Sequence, residues 1–179
     1  DGQAGGDDDD SDDDGVTPGG NEHIGGAQVL IGTPSGEAIV GGSGRDMNFA
    51  SDGADNVLGG AGSDMIYGDA GNDRLFGEAG DDLIDGGTGN DTVFGGDGDD
   101  IFVASVGDGD DVYYGDHMNG GTGNDTLDMS AINANTTANL GTGFNGRGSV
   151  TSAQSGADTI WGVENIVTGS GNDTITASA

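Results

Sequence analysis

Residues 41–103 read GGSGRDMNF, ASDGADNVL, GGAGSDMIY, GDAGNDRLF, GEAGDDLID, GGTGNDTVF and GGDGDDIFV, seven nine-residue blocks without a gap. The fourth position is Gly in every block: Gly44, Gly53, Gly62, Gly71, Gly80, Gly89 and Gly98. The sixth is Asp in every block: Asp46, Asp55, Asp64, Asp73, Asp82, Asp91 and Asp100. The eighth is Asn48 and then Val57, Ile66, Leu75, Ile84, Val93 and Phe102, so it is apolar in all blocks but the first. Composition alone would scatter Gly and Asp. Here they hold phase over the whole stretch, which is the signature of a repeat architecture.

The phase weakens outward. Blocks 23–31 and 32–40 keep the apolar eighth position (Leu30, Ile39) without the sixth-position Asp, and read as a cap. Downstream, 107–114 is a copy displaced by two residues with Asp111 in the sixth position, and 120–128 is a full copy with Asp125. Residues 129–152 are irregular. Reduced copies follow at 155–161, with Asp158, and at 169–176, with Asp173. The organisation expected is an acidic disordered linker over 1–22, a repeat unit over 23–128 and degenerate coils or a C-terminal cap over 129–179.

Each block divides into six turn-forming residues and a strand of three. In a strand, alternate side chains face opposite ways, so the eighth residue points inward while the seventh and ninth point out. Strands this short are stable only when stacked. Winding turn, strand, turn, strand uses two blocks per coil and builds two parallel sheets around a thin core of Val, Ile, Leu and Phe. Successive coils rise ~4.8 Å. Stacking brings Asp46, Asp64, Asp82 and Asp100 into one column and Asp55, Asp73 and Asp91 into another. Carboxylates a strand spacing apart repel, so the fold needs a cation between them.

The composition agrees and excludes much else. The chain of 179 residues has 33 Asp plus Glu against three Lys plus Arg, a formal charge of −30, with 41 Gly and no Cys. Such a chain repels phosphate backbones, so nucleic-acid binding is not expected. No apolar run approaches the ~18 residues that a membrane span needs. Without Cys there is no disulfide framework, thiol nucleophile or Cys-type zinc site. High charge with few apolar residues is otherwise the composition of a disordered chain. Asp1 opens a sequence with no visible signal peptide, expected of a mature product or a fragment.

Carboxylates and backbone carbonyls form an oxygen-only, multidentate donor set, which suits Ca²⁺; Mg²⁺ demands tighter octahedral geometry and keeps its waters. The two histidines, His23 and His117, stand far apart in the repeat. On these residues the chain resembles the RTX family, whose nonapeptide is GGxGxDxUx with U a large apolar residue. The match is closest over 59–103 and extends over 41–128. The resemblance implies a right-handed parallel β-roll, an all-β solenoid with Ca²⁺ between stacked turns. It implies that sixth-position Asp residues and loop carbonyls hold each ion. Carried onto this chain, the pairs are Asp46/Asp64, Asp64/Asp82, Asp82/Asp100, Asp55/Asp73 and Asp73/Asp91, giving about five ions or more. Asp91/Asp111 is offset by the displaced copy, and Asp125 and Asp173 extend the set. The carbonyls implied are those of Gly42 and Gly44; Gly59, Gly60, Ala61 and Gly62; Gly68, Ala70 and Gly71; Gly77, Ala79 and Gly80; Gly86, Gly87, Thr88 and Gly89; and Gly95, Gly96 and Gly98. The resemblance also implies a Gram-negative bacterial source, type I secretion and folding outside the cell on meeting millimolar Ca²⁺.

Other motifs carry less. Asp10-x-Asp12-x-Asp14-Gly15 begins like an EF-hand loop, but Glu22 falls one place late and Pro18 interrupts it, so the run reads as a solvated linker. GTGFNG (141–146) fits GxGxxG by letters, with no helix pattern after it. No HExxH or GxSxG occurs, and the chain is not expected to be an enzyme. The third and fifth positions form no regular Thr/Asn array of the kind an ice-binding face needs. The outward positions of one sheet are Met47, Phe49, Met65, Tyr67, Leu83, Asp85, Ile101 and Val103, apolar but for one. That face is expected to be covered by another roll, chain or domain. The function expected is that of a calcium-binding module of a secreted or cell-surface bacterial protein. The alternatives are an accessory module of a secreted protease, lipase or polysaccharide-modifying enzyme, or a self-assembling surface-layer or filament subunit.

Overall fold

The structure, a computed structural model, describes residues 26–116, 122–141 and 146–177. The acidic tail, both histidines and most of GTGFNG lie outside the described residues. The described residues form sixteen strands: β1 (Val29–Ile31), β2 (Ala38–Ser43), β3 (Met47–Phe49), β4 (Asn56–Ala61), β5 (Met65–Tyr67), β6 (Arg74–Ala79), β7 (Leu83–Asp85), β8 (Thr92–Asp97), β9 (Ile101–Val103), β10 (Val112–Asp116), β11 (Thr126–Met129), β12 (Thr136–Asn139), β13 (Arg147–Ser152), β14 (Gly156–Trp161), β15 (Asn165–Thr168) and β16 (Thr174–Thr176). Among the described residues there is no helix long and apolar enough to cross a membrane.

The strands alternate between two sheets. One has the order β1-β3-β5-β7-β9-β11-β15, the other β16-β12-β13-β14-β10-β8-β6-β4-β2. From β1 to β9 pairing is parallel with partners 18 residues apart, such as Met47↔Met65, Ile66↔Ile84 and Val57↔Leu75. A repeat of nine read two blocks per coil yields this register. The fold is a parallel β-solenoid, as the repeat implied.

The core is one residue deep per strand. Val57, Ile66, Leu75, Ile84, Val93 and Phe102 are fully buried, with Tyr113, Leu127 and Ile160 continuing the two rows. Asn48 occupies the same inward position between Leu30 and Ile66. It is fully buried, and neither its Oδ1 nor its Nδ2 has a partner. A buried amide with unmade hydrogen bonds costs on the order of 1–3 kcal/mol. Asn48→Val is therefore expected to stabilise the roll by about that much, read as a higher urea midpoint in saturating Ca²⁺. A lower midpoint would show that the amide has a structural partner.

Two features depart from uniform coils. Strands of the first sheet from β3 to β9 have three residues, as the blocks dictate, but β4, β6 and β8 have six. They run on into the first three turn positions, where the register resumes at Gly60↔Glu78 and Ala61↔Ala79. After first-sheet strands the same turn positions make only the isolated bridges Asp52↔Ala70 and Ala70↔Thr88. The second departure is β13, which is antiparallel to both β12 and β14. Only residues 153–155 join β13 to β14, a hairpin length that cannot carry a parallel crossover.

Aromatic side chains stack in register on the outer faces. Phe76, Phe94, Tyr114 and Trp161 form a ladder on the second sheet, with centroids 4.7, 4.7 and 6.2 Å apart. On the first sheet Phe49 stacks on Tyr67 at 5.1 Å. From β3 to β9 that sheet's outward residues are half-buried except Ile101, and Val29, Ile31 and Val167 are exposed at its two ends.

Candidate metal centre

The turns place the sixth-position carboxylates along both edges of the roll. Each is buried, and each Oδ1 accepts the backbone N–H of the corresponding residue one coil back. On one edge the chain of acceptors runs Asp46 to Asp64 (2.7 Å), Asp64 to Asp82 (2.7 Å), Asp82 to Asp100 (2.9 Å) and Asp100 to Asp125 (3.0 Å). On the other it runs Asp55 to Asp73, Asp73 to Asp91 and Asp91 to Asp111, each at 2.8 Å. The longer loop between Val103 and Val112 absorbs the two-residue offset, so Asp111 keeps its place in the column. Asp173 sits apart, accepting the Thr136 N–H at 2.9 Å.

Two column members were missed in the ligand set. Asp111 donates its N–H to Asp158 Oδ1 at 3.1 Å, and Asp125 donates to Glu164 Oε2 at 2.9 Å. Asp158 was legible as the sixth position of a reduced copy. Glu164 was not, because the turn from Trp161 to Asn165 is cut to three residues and carries Glu in place of Asp.

The second carboxylate oxygen is the unusual one. Oδ2 of Asp55, Asp64, Asp73, Asp82, Asp91, Asp100, Asp125 and Asp158 is buried with no hydrogen-bond partner. Asp46 and Asp111 differ: Gly42 N–H donates to Asp46 Oδ2 at 2.8 Å, and the Tyr113 hydroxyl to Asp111 Oδ2 at 3.0 Å. The orphaned oxygens of Asp64, Asp73, Asp82, Asp91 and Asp100 lie against the first glycine of their own turn. A Cβ on Gly59 would fall 2.7 Å from Asp64 Oδ2, and one on Gly68 2.7 Å from Asp73 Oδ2. The space beside these five oxygens exists because that residue is glycine.

Burial sets the electrostatics. Desolvation, reinforced by the neighbouring carboxylates, pushes Asp73 up to about 6, Asp82, Asp91 and Asp125 to about 7, and Asp100 and Asp158 to about 8. The backbone N–H bonds oppose this and lose. Such oxygens require either a proton or a cation.

The donors around them are oxygens. Fourth-position carbonyls of Gly44, Gly62, Gly71 and Gly80 pack against the fourth glycine of the next coil, Gly62, Gly80, Gly89 and Gly98. First-position carbonyls of Gly59, Gly77, Gly86 and Gly95 pack against the first glycine one coil back. The third-position carbonyls of Ala61, Ala70, Ala79 and Thr88 already accept the N–H of Gly44, Gly53, Gly62 and Gly71, each with a second lone pair left. Among the described residues no three His, Cys, Asp or Glu side chains are grouped to hold a metal. Carboxylates come two at a time up each column, so backbone oxygen must supply the balance of any shell. A hard, oxygen-binding ion of flexible coordination fits this set.

The family described as RTX calcium-binding nonapeptide repeat (4 copies) matches residues 49–84, 76–109, 112–128 and 161–179, more than half of the chain. The chain belongs to that family and is a calcium-binding repeat module with a β-roll fold. Among solved structures it is similar to the AlgE6R3 subunit from the Azotobacter vinelandii mannuronan C5-epimerase, at 22% identity and a TM-score of 0.36, covering 86% of this chain and 84% of that one. No curated protein matches the chain.

Proposed function

We propose that this chain is a non-catalytic module of a secreted or cell-surface bacterial protein that folds and stiffens when Ca²⁺ fills its turns outside the cell. The observation that carries the reading is the set of buried Oδ2 atoms without a donor. The ions would lie between Asp64 and Asp82, Asp82 and Asp100, Asp55 and Asp73, and Asp73 and Asp91, completed by carbonyls of the first four turn positions; Asp46, whose Oδ2 already accepts the Gly42 N–H, stands outside the set. Asp125, Asp158 and Asp173 would extend the set. Sites of this kind in extracellular modules bind on the order of 10⁻⁴–10⁻³ M. Several acting together on a chain with a core one residue deep couple binding to folding, because an ion that binds only the folded state stabilises it by mass action. Low cytosolic Ca²⁺ would keep the chain unfolded for export.

The apolar face of the first sheet supports a second reading, self-association through Met47, Phe49, Met65, Tyr67, Leu83, Ile101 and Val103. Circular dichroism and light scattering during a Ca²⁺ titration, with Mg²⁺ as control, test both. Strand signal is expected to appear with Ca²⁺ and not with equal Mg²⁺; full structure in chelator at neutral pH would overturn the coupled folding. Growth in mass that disappears in Met65→Asp/Ile101→Asp supports assembly through this face, and unchanged mass in wild type and variant excludes it.

A further inference from the structure

The turn leading into β10 breaks the repeat rule in several places at once. Its first position is Val106, 54% exposed, where the turns of Asp64, Asp73, Asp82, Asp91 and Asp100 have a glycine against the carboxylate. Its third position is the buried Asp108, with both oxygens bonded: Oδ2 accepts the Ser105 N–H at 2.8 Å and Oδ1 the Gly109 N–H at 3.1 Å. Its eighth position is Tyr113, paired in register with the aliphatic Val93 and Ile160.

The Tyr113 hydroxyl bonds the oxygen that is left bare elsewhere in the same column, at Asp55, Asp73, Asp91 and Asp158. The ring is 1% exposed and lies 5.5 Å from that of Phe102 in the core. It is held within the core row, so moving the hydroxyl aside for an arriving ion means repacking the core.

We infer that the Tyr113 hydroxyl stands in for the cation at Asp111, so that Asp111 ligates no Ca²⁺ and the ion column is interrupted at the β10 coil. The inference rests on the reading that the bare oxygens of the other turns hold Ca²⁺. A neutral donor and a divalent ion are alternative solutions to one problem, a buried carboxylate oxygen without a partner. This coil has the first, built from its own sequence. The consequence is a seam: a coil whose stability does not follow Ca²⁺ directly, between coils whose stability does.

Equilibrium dialysis with metal analysis on the full chain counts the ions. Asp73→Asn is expected to lower the number bound per chain, Asp111→Asn to leave it at the wild-type value, and Tyr113→Phe to raise it by one. Each variant is near-isosteric, and circular dichroism in saturating Ca²⁺ verifies that it is folded. Equal losses in Asp73→Asn and Asp111→Asn would overturn the inference, as would a folded Tyr113→Phe chain with no gain. A wild-type chain that binds no Ca²⁺ is a different result, which removes the underlying reading and this one with it.

Discussion

In chelator, acidification is expected to build structure rather than destroy it. Asp73, Asp82, Asp91, Asp100, Asp125 and Asp158 are raised from an ordinary 3.8 to between about 6 and about 8, first by burial and then by neighbouring acids. A carboxylate whose folded pKa lies above its unfolded one binds protons more tightly in the fold. Its contribution to stability is therefore complete below about pH 4 and is lost as pH rises through about 6 to 8. Metal-free chains should show more strand signal at pH 5 than at pH 8, the reverse of ordinary acid denaturation. Ca²⁺ takes the place of the protons, so saturating Ca²⁺ should flatten the profile at neutral pH, and its binding near pH 7 should release protons. By the same linkage, Ca²⁺ affinity should rise with pH over this window. Circular dichroism in chelator across this pH range decides the matter. A metal-free chain that loses strand signal as pH falls from 8 to 5 would show that the buried carboxylates do not control folding.

The fold was legible in the sequence because one rule repeats. Strand positions, inward residues and the 18-residue register all follow from the spacing of Gly62, Asp64 and Ile66 and their copies. What escaped reading lies where the rule is bent by insertion or deletion. Glu164 reaches the column only because a three-residue turn delivers it there, and spacing gives no warning of that. The antiparallel β13 follows from the tight connection at 153–155 within a stretch that has no period. The six-residue strands of the second sheet reflect a strand register that continues into the turn on one edge and shrinks to isolated bridges on the other, although the nonapeptide is the same on both. The hydrogen bond of Tyr113 to Asp111 escaped as well, because a tyrosine in an aliphatic row reads first as core.

The glycines that make room for the columns are the point at which a single methyl group should do most damage. Gly80 has φ +128°, a region that L side chains rarely adopt, and a Cβ there would strike the carbonyl of Gly62 one coil back. Neither problem has a side-chain remedy, because the obstacle is backbone. The conformation alone costs on the order of 1–3 kcal/mol. Relieving the collision means separating two coils whose spacing is fixed by Gly62 N–H on the Ala79 carbonyl at 2.7 Å and by Asp64 N–H on Asp82 Oδ1 at 2.7 Å. Separation also draws the fourth-position carbonyls away from the carboxylates they would join in holding an ion. Gly107 isolates the conformational part: its φ is +84°, and a Cβ there would meet nothing within 4 Å. Gly107→Ala is thus expected to raise the Ca²⁺ midpoint of folding slightly. Gly80→Ala should raise it far more, or abolish folding at millimolar Ca²⁺. Midpoints that agree within error for the two variants would mean that the coils are not packed closely enough for the turn glycines to be required by space.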